Sequence, residues 1–361
     1  MNILYTNCHK QEGGGHTTYI LSLCTDGRQN KFVACPASSA LYRKLQERGF
    51  KNLIDLSFPS KPREWREIIA SVRRLKEIIR EHDIDLVHTS NSPDNRLALY
   101  ASLGFGRKFG VIFTKHNPFR ISGLVSQWRF NHFNDAVIFV GSSIHKTIGI
   151  PRITVPVRVI ENGIDLDHWR KQEPYRTCSR IRLVSTAGIS LHKGWTNLVE
   201  AIAGLSEEEK SRLSVTMPAP LELEDTLAWA KERCDITFPG YAPDPRPHLE
   251  NADVGFVLSR SETISFACRE MMAMGLPMIV STCGNLPDNV DAGCGWVTPT
   301  GDVPAIREAL QQILAMSPED INTMKANARK KAEAEFSLET MREKTDALYR
   351  ETFARLFPKR M

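Results

Sequence analysis

Long apolar runs are missing from this sequence. None approaches the roughly 18 residues a helix needs to cross a bilayer, which excludes a transmembrane helix on this reading. The first residues, MNILYTNC, carry no basic cluster and no extended apolar segment, so no secretory signal is expected. The eight cysteines (8, 24, 35, 178, 234, 268, 283 and 294) are scattered, and neither C-x-x-C nor C-x-x-H occurs. That spacing argues against zinc or redox motifs and for reduced cytosolic thiols. G-x-G-x-x-G and G-x-x-x-x-G-K-[ST] are absent too, which disfavours a dinucleotide oxidoreductase and a P-loop enzyme. There is no aromatic–basic nucleic-acid motif, no low-complexity segment and no short-period repeat.

What is present has the composition of a soluble globular protein: 361 residues, 42% hydrophobic and 25% charged, enough for two domains. The net charge of +5 is unevenly spread. Residues 1–170 hold 24 Lys and Arg against 15 Asp and Glu, leaving 23 against 27 for the rest. A basic first half suits anionic headgroups or phosphorylated acceptors.

Apolar runs alternate with helical patterns along the whole chain. In the first half, strands are expected at 2–7, 31–35, 52–56, 85–90, 110–117 and 136–140, with helices between them. The longest helix spans Pro62 to His82. Its apolar positions Trp65, Ile68, Ile69, Val72, Leu75 and Ile79 read as a core-packed face and its arginines as a solvated one. The alternative is a basic face lying on a membrane surface. A polar stretch, 170–180, reads as a linker, and the pattern then restarts at RLVSTAG. The fold class is therefore α/β, two doubly wound parallel sheets in tandem.

Candidate ligand-facing residues fall at expected strand ends. The loop HKQEGGGH follows the first strand, and its Gly13, Gly14 and Gly15 permit close backbone approach to a ligand. His116 ends the 110–117 strand, and Lys193 lies in GISLHKGW between a strand and a helix. Glu262 and Glu270 stand eight residues apart in SRSETISFACREMMAMGLP. Were both helical they would lie about 80° apart on one face. A cleft between the two domains would collect all of these groups.

In this order the motifs resemble the family 4 glycosyltransferases: EGGGHTTYI, KHN, ENGID, HKG, FPGY, NADVGFVLS, then E-x7-E followed by MMAMGLPMIVS. The resemblance implies the GT-B fold, two Rossmann-like domains facing across a cleft. Residues 1–170 would form the acceptor side, 171–335 the nucleotide-sugar side, and 336–361 a helix crossing back. It implies a retaining transfer with no metal and no cofactor, the donor being a nucleotide-diphosphate sugar, with UDP the guess. Glu270 would hold the ribose, and Glu262 the donor sugar. Lys193 would hold the diphosphate, His116 would lie near the sugar, and Gly14 and Gly15 would approach the phosphates. Gly240 in FPGY and the segment Thr263, Ile264, Ser265 and Phe266 complete the expected donor site, the amides of that segment stabilising the leaving group.

Two departures stand out. Ile189 occupies the place of the family's usual diphosphate-binding arginine, with Arg260 and Arg120 as substitutes, and Thr263 replaces the usual glycine after the first glutamate. The implied acceptor is a glycan or lipid-linked molecule of bacterial lipopolysaccharide core or surface-polysaccharide synthesis. The implied location is cytoplasmic, at the inner face of the membrane, with peripheral contact through the basic domain. Two other readings fit the same residues: a nucleotide-sugar epimerase or hydrolase of this fold, and a non-enzymatic nucleotide-sugar binder.

Overall fold

A computed structural model describes residues 1–9, 14–104, 109–172, 174–175, 180–219 and 223–360. The expected Gly13 and part of the expected linker (173 and 176–179) lie outside the described residues. The chain divides into two compact units, Met1–Asn162 with Thr340–Met361, and Gly163–Glu339.

The first unit alternates β1 (Asn2–Thr6), α1 (Gly15–Cys24), β2 (Asn30–Cys35), α2 (Ala40–Glu47), β3 (Leu53–Asp55), α3 (Trp65–Glu81), β4 (Leu86–Thr89), α4 (Ser92–Ser102), β5 (Gly110–Lys115), α5 (Leu124–His132), β6 (Ala136–Phe139), α6 (Ile144–Thr147) and β7 (Val157–Val159). Its seven strands are all parallel, in the order β3-β2-β1-β4-β5-β6-β7. The inner strands β4, β5 and β6 are buried at every residue, because helices cover both faces of a parallel sheet.

The second unit follows with β8 (Ile181–Val184), α7 (Trp195–Ala203), α8 (Glu207–Ser211), β9 (Leu213–Thr216), α9 (Glu224–Lys231), β10 (Ile236–Thr237), α10 (Arg246–Glu250), β11 (Val254–Val257), α11 (Phe266–Ala273), β12 (Met278–Ser281), β13 (Gly295–Thr298), α12 (Val303–Ala315) and α13 (Pro318–Glu335). Its six strands are again parallel, in the order β10-β9-β8-β11-β12-β13. The last long helix, α14 (Leu338–Leu356), begins where the Ile164 amide donates to the Phe336 carbonyl and the Ile164 carbonyl accepts from the Leu338 amide, and from Thr340 it belongs to the first unit. Its Arg342 donates to the Ser22 carbonyl at 2.7 Å and its Tyr349 is buried.

One expectation needs correction, and one element was missed. The first half of α3 is not core-packed: Trp65 is 55% and Ile69 43% exposed, while Leu75, Ile78 and Ile79 are buried. Seventeen helical residues span about 25 Å, whereas four to six strand residues span only about 13–20 Å, so the helix overhangs the sheet. Glu262 lies in the turn before α11 and Glu270 on the helix, as the sequence implied, so the angle conditional on both being helical does not apply. The short helix α8 was not expected. Its signal was a capping box in SEEE: the Glu209 amide donates to Ser206 Oγ at 3.2 Å and the Ser206 amide returns a bond to Glu209 at 2.8 Å.

In the NADVG stretch, Asp253 is fully buried. It accepts from the Arg182 amide and Nε, both at 2.9 Å, and from the buried Lys325 at 2.7 Å. These donors hold it ionised despite burial, with its carboxyl below the usual range. This aspartate anchors β8, β11 and α13 together and is structural.

Candidate functional site

The order of strands decides where ligands can bind. In each sheet the chain winds one way and then the other, and the crevice opens at the carboxyl ends of the two strands where the direction changes. In the second unit those strands are β8 and β11; in the first they are β1 and β4.

In the second unit, the loop after β8 carries Lys193 and the loop after β11 carries Glu262. They form an ion pair, Lys193 Nζ to Glu262 Oε2 at 2.8 Å, with both side chains partly open to solvent. Gly194 makes this approach possible. It has φ +70°, and a Cβ there would stand 1.9 Å from the Leu258 carbonyl oxygen at the end of β11. The Arg260 amide donates to the His192 carbonyl at 2.8 Å and its guanidinium to Asn197 Oδ1 at 3.3 Å, which sets a second cation beside Lys193.

The turn bearing Glu262 and Thr263 is braced by the loop after β12. The Glu262 amide donates to Cys283 Sγ at 3.1 Å, and the Asn285 amide donates to the Thr263 carbonyl at 2.9 Å. Between them Gly284 has φ +58°, and a Cβ there would lie 2.1 Å from the Glu262 carbonyl oxygen. Ser265 then caps α11 by accepting from the Cys268 amide at 3.3 Å. The amides of Phe266 and Ala267, the first two of the helix, have no intrahelical acceptor and carry the positive end of its dipole.

Glu270, one turn into α11, finds no hydrogen-bond donor among the described residues, and burial pushes its carboxyl up to about 7. Glu270 itself is half-buried, and four fully buried polar atoms lack partners here: Thr186 Oγ1, Asn197 Nδ2, Ser259 Oγ and Thr263 Oγ1. Polar atoms are rarely orphaned in a core, and each lies on or near the loops after β8 and β11. Together they offer an anion-holding cation, helix amides, a carboxylate for hydroxyls and several free hydroxyl or amide groups.

In the first unit, Gly14 has φ +99° and precedes α1, with Gly15 as its first residue. His116 directly follows β5. Its ring packs at a tilt against His16 (centroids 4.3 Å apart), which packs at a tilt against His9 (4.4 Å), and Tyr19 meets it edge-on at 4.7 Å. Burial, then the neighbouring imidazoles, hold His116 well below the usual histidine range, and His16 is lowered to about 3. Both rings are therefore neutral at physiological pH. Asn7 Nδ2, Ser90 Oγ, Asn91 Nδ2, His16 Nδ1 and His116 Nε2 are buried without partners, again at strand carboxyl ends. Beneath them His88 bonds to Thr114 Oγ1 at 2.6 Å and to Tyr349 of α14 at 2.5 Å.

The second unit thus brings Lys193, Glu262, Thr263, Ile264, Ser265, Phe266 and Glu270 to one pair of loops. Gly240 (φ +90°) follows β10 at the sheet edge, two strands from β8. Ile189 is buried in the core, its carbonyl accepting from Trp195 Nε1 at 2.7 Å. Of the two substitutes for the missing arginine, Arg260 stands at this site. Arg120 lies in the first unit, its side chain packed over Gly149. The sequence reading missed the brace of Cys283, Gly284 and Asn285, the orphaned Thr186, Asn197 and Ser259, and the cluster of His9, His16 and His116. Their common signal is position after strands at the switch, legible only once the strand order is known. Among the described residues no group of three or more His, Cys, Asp or Glu side chains could hold a metal ion.

Residues 13–168 match the family described as Glycosyltransferase Family 4, and residues 180–316 the one described as Glycosyl transferases group 1. The chain is 25% identical over 306 residues to the MMP alpha-(1->4)-mannosyltransferase of Mycolicibacterium hassiacum, covering 77% of this chain and 73% of that one. It is 26% identical over 207 residues to the amylovoran biosynthesis glycosyltransferase AmsK of Erwinia amylovora, covering 54% of this chain and half of that one. The crystal structure of Anabaena HepE in complex with UDP and glucose superposes with a TM-score of 0.79 at 16% identity, over 96% of this chain and 98% of that one. At that identity the likeness shows the fold, GT-B.

Proposed function

Since the chain belongs to the group 1/family 4 glycosyltransferases, we propose that it moves a sugar from UDP to a glycan or lipid-linked acceptor with retention of configuration. The acceptor class proposed is that of bacterial surface polysaccharide or lipopolysaccharide core. The observation that carries this reading is the convergence, where β8 and β11 diverge, of the Lys193–Glu262 pair, the unpartnered Glu270 carboxyl and the first amides of α11.

In this reading Glu270 accepts two ribose hydroxyls, as a carboxylate suits a diol. The diphosphate lies on Lys193, Arg260 and the amides of Phe266 and Ala267. Glu262, braced by Cys283 and Asn285, meets the hydroxyls of the donor sugar, with Thr263 Oγ1 as a further partner. The bond from the acceptor oxygen to the anomeric carbon forms on the face where the bond to the phosphate oxygen breaks, and the acceptor's proton passes to that departing oxygen. The negative charge left on the diphosphate is met by fixed cations and amides, which need no reorganisation as it develops, and no metal is required. The neutral imidazole of His116, with Nε2 free, suits a sugar hydroxyl, and Gly14 and Gly15 leave backbone amides open to an anion. The uridine assignment draws on HepE, whose structure holds UDP.

A thermal-shift series with UDP-, GDP- and ADP-sugars tests this. At about 100 times the dissociation constant a ligand adds about 2.7 kcal/mol of apparent stability. UDP-sugars are expected to raise the melting temperature and the others not; a uniform absence of shift overturns the reading. Sugar released from the donor at full rate with no acceptor present marks a hydrolase instead.

A further inference from the structure

We propose that Arg269 and Asn289 are positioning residues: they hold the Glu262–Thr263 turn in place and thereby set which donor sugar the protein prefers. The inference lies within the second unit and rests on the reading of Glu262 as the residue that meets the donor sugar. Arg269 stands beside Glu270 on α11, is buried, and donates from Nε to Asn289 Oδ1 at 3.0 Å. Asn289 is buried too, and its Nδ2 turns to the loop after β12, donating to the Asn285 carbonyl at 3.0 Å and the Leu286 carbonyl at 3.2 Å. The Asn285 amide then donates to the Thr263 carbonyl at 2.9 Å. Hydrogen bonds in series thus run from the helix that carries Glu270, through that loop, to the turn that carries Glu262. The far end is fixed as well, because the Arg269 guanidinium lies over the buried Phe336 ring, 4.4 Å from its centroid.

Packing alone does not account for these side chains. An aliphatic residue would fill the space beneath Phe336 without the desolvation that a guanidinium suffers there. What arginine adds is a planar set of donors in a fixed direction, and a bonded polar network in a core selects one arrangement where apolar packing tolerates several. The turn needs that selection. Glu262 and Glu270 must keep one separation if they are to meet the sugar and the ribose of a single donor, and displacing a positioned group by about 1 Å costs about 10²-fold. The helix itself does not depend on the network. Cys268, Met271 and Met272 are fully buried and Ser265 caps its first turn, so Glu270 stays in place when Arg269 loses its donors. Loosening the network therefore moves the sugar contact and spares the ribose contact.

The test uses three variants of the full chain. Arg269→Met keeps a long side chain without its donors. Asn289→Asp keeps the acceptor for Arg269 but sets a carboxylate oxygen against the Asn285 and Leu286 carbonyls. Leu310→Ala truncates a buried residue of α12 and leaves the network alone. Amide exchange of the free protein reads the brace. In both network variants the Glu262 and Asn285 amides are expected to exchange about tenfold faster or more, and the Met274 amide, bonded to the Glu270 carbonyl, at the wild-type rate. Calorimetry with UDP, UDP-glucose, UDP-galactose and UDP-N-acetylglucosamine reads the consequence. Wild type is expected to prefer one of the three sugars by about tenfold or more, the worth of one well-placed hydrogen bond. The network variants are expected to bind UDP within about threefold of wild type and to separate the sugars by less than about threefold, while Leu310→Ala keeps the preference. Should Arg269→Met not fold, Asn289→Asp decides alone. Unchanged amide exchange, a preference retained by a folded network variant, a parallel loss of UDP affinity, the same collapse in Leu310→Ala, or a wild type with no sugar preference overturns the inference and leaves the donor reading standing. A wild type that binds none of the four compounds overturns that reading and the inference with it.

Discussion

Glu270→Gln is expected to make the free protein more stable at pH 8 while removing most of its affinity for UDP. The carboxyl is raised from 4.5 to about 7 by burial. A folded-state value above the unfolded one means that the folded chain holds an extra proton between pH 4.5 and 7. Stability from this group is thus present below pH 4.5 and is lost as pH rises through 7. Above pH 7 the native state carries a desolvated carboxylate with no donor beside it, costing on the order of 1–3 kcal/mol. Glutamine has nearly the same shape and no charge, so melting of the variant is expected several degrees higher at pH 8 and level with wild type near pH 4.5. Binding moves the other way. Two hydroxyl bonds to a charged acceptor, at about 1.5–3 kcal/mol each, imply a loss of about 100-fold or more. For the same reason wild-type affinity for UDP is expected to fall below pH 7, while that of Glu270→Gln stays flat. A variant that is less stable at pH 8, or that binds UDP normally, contradicts this role.

Lys193→Ala is expected to lower transfer by about 10²–10³-fold, the effect of removing one preorganised group from developing charge. The loss should fall more on kcat than on KM, because the diphosphate carries more charge as the sugar leaves. The ion pair complicates stability. Glu262 is only partly solvated, and without Lys193 it loses its ion-pair partner. A modest loss of stability is therefore expected alongside the catalytic one, and melting curves separate the two. Lys193→Arg keeps the charge but not the reach through the Leu191–Lys193 turn, and should recover part of the rate. Turnover by Lys193→Ala within a few-fold of wild type contradicts the assignment.

Most strands were legible in the sequence because a fully buried parallel strand is a short continuous apolar run, as VGFVL and MIVS are. Lys193 and Glu262 were legible as loop residues between strand and helix. That they touch was not, since 69 positions separate them and the contact depends on β8 and β11 being neighbours. The brace from Cys283 to Asn285 was hidden for the same reason. The overhang of α3 was missed because helical periodicity reports which residues share a face, not how far the sheet beneath extends. Ile189 was read as a gap in the diphosphate site; its side chain is buried in the core, and Arg260 stands on the loop after β11 with its amide on the His192 carbonyl.

The central claim is that the nucleotide binds at the carboxyl ends of β8 and β11, and a crystal structure with UDP tests it most directly. Ribose hydroxyls are expected on the Glu270 carboxylate and the diphosphate against Lys193 and the first amides of α11, with the Lys193–Glu262 pair loosened to admit it. UDP held elsewhere on the chain, with Glu270 and Lys193 making no contact to it, would contradict the account.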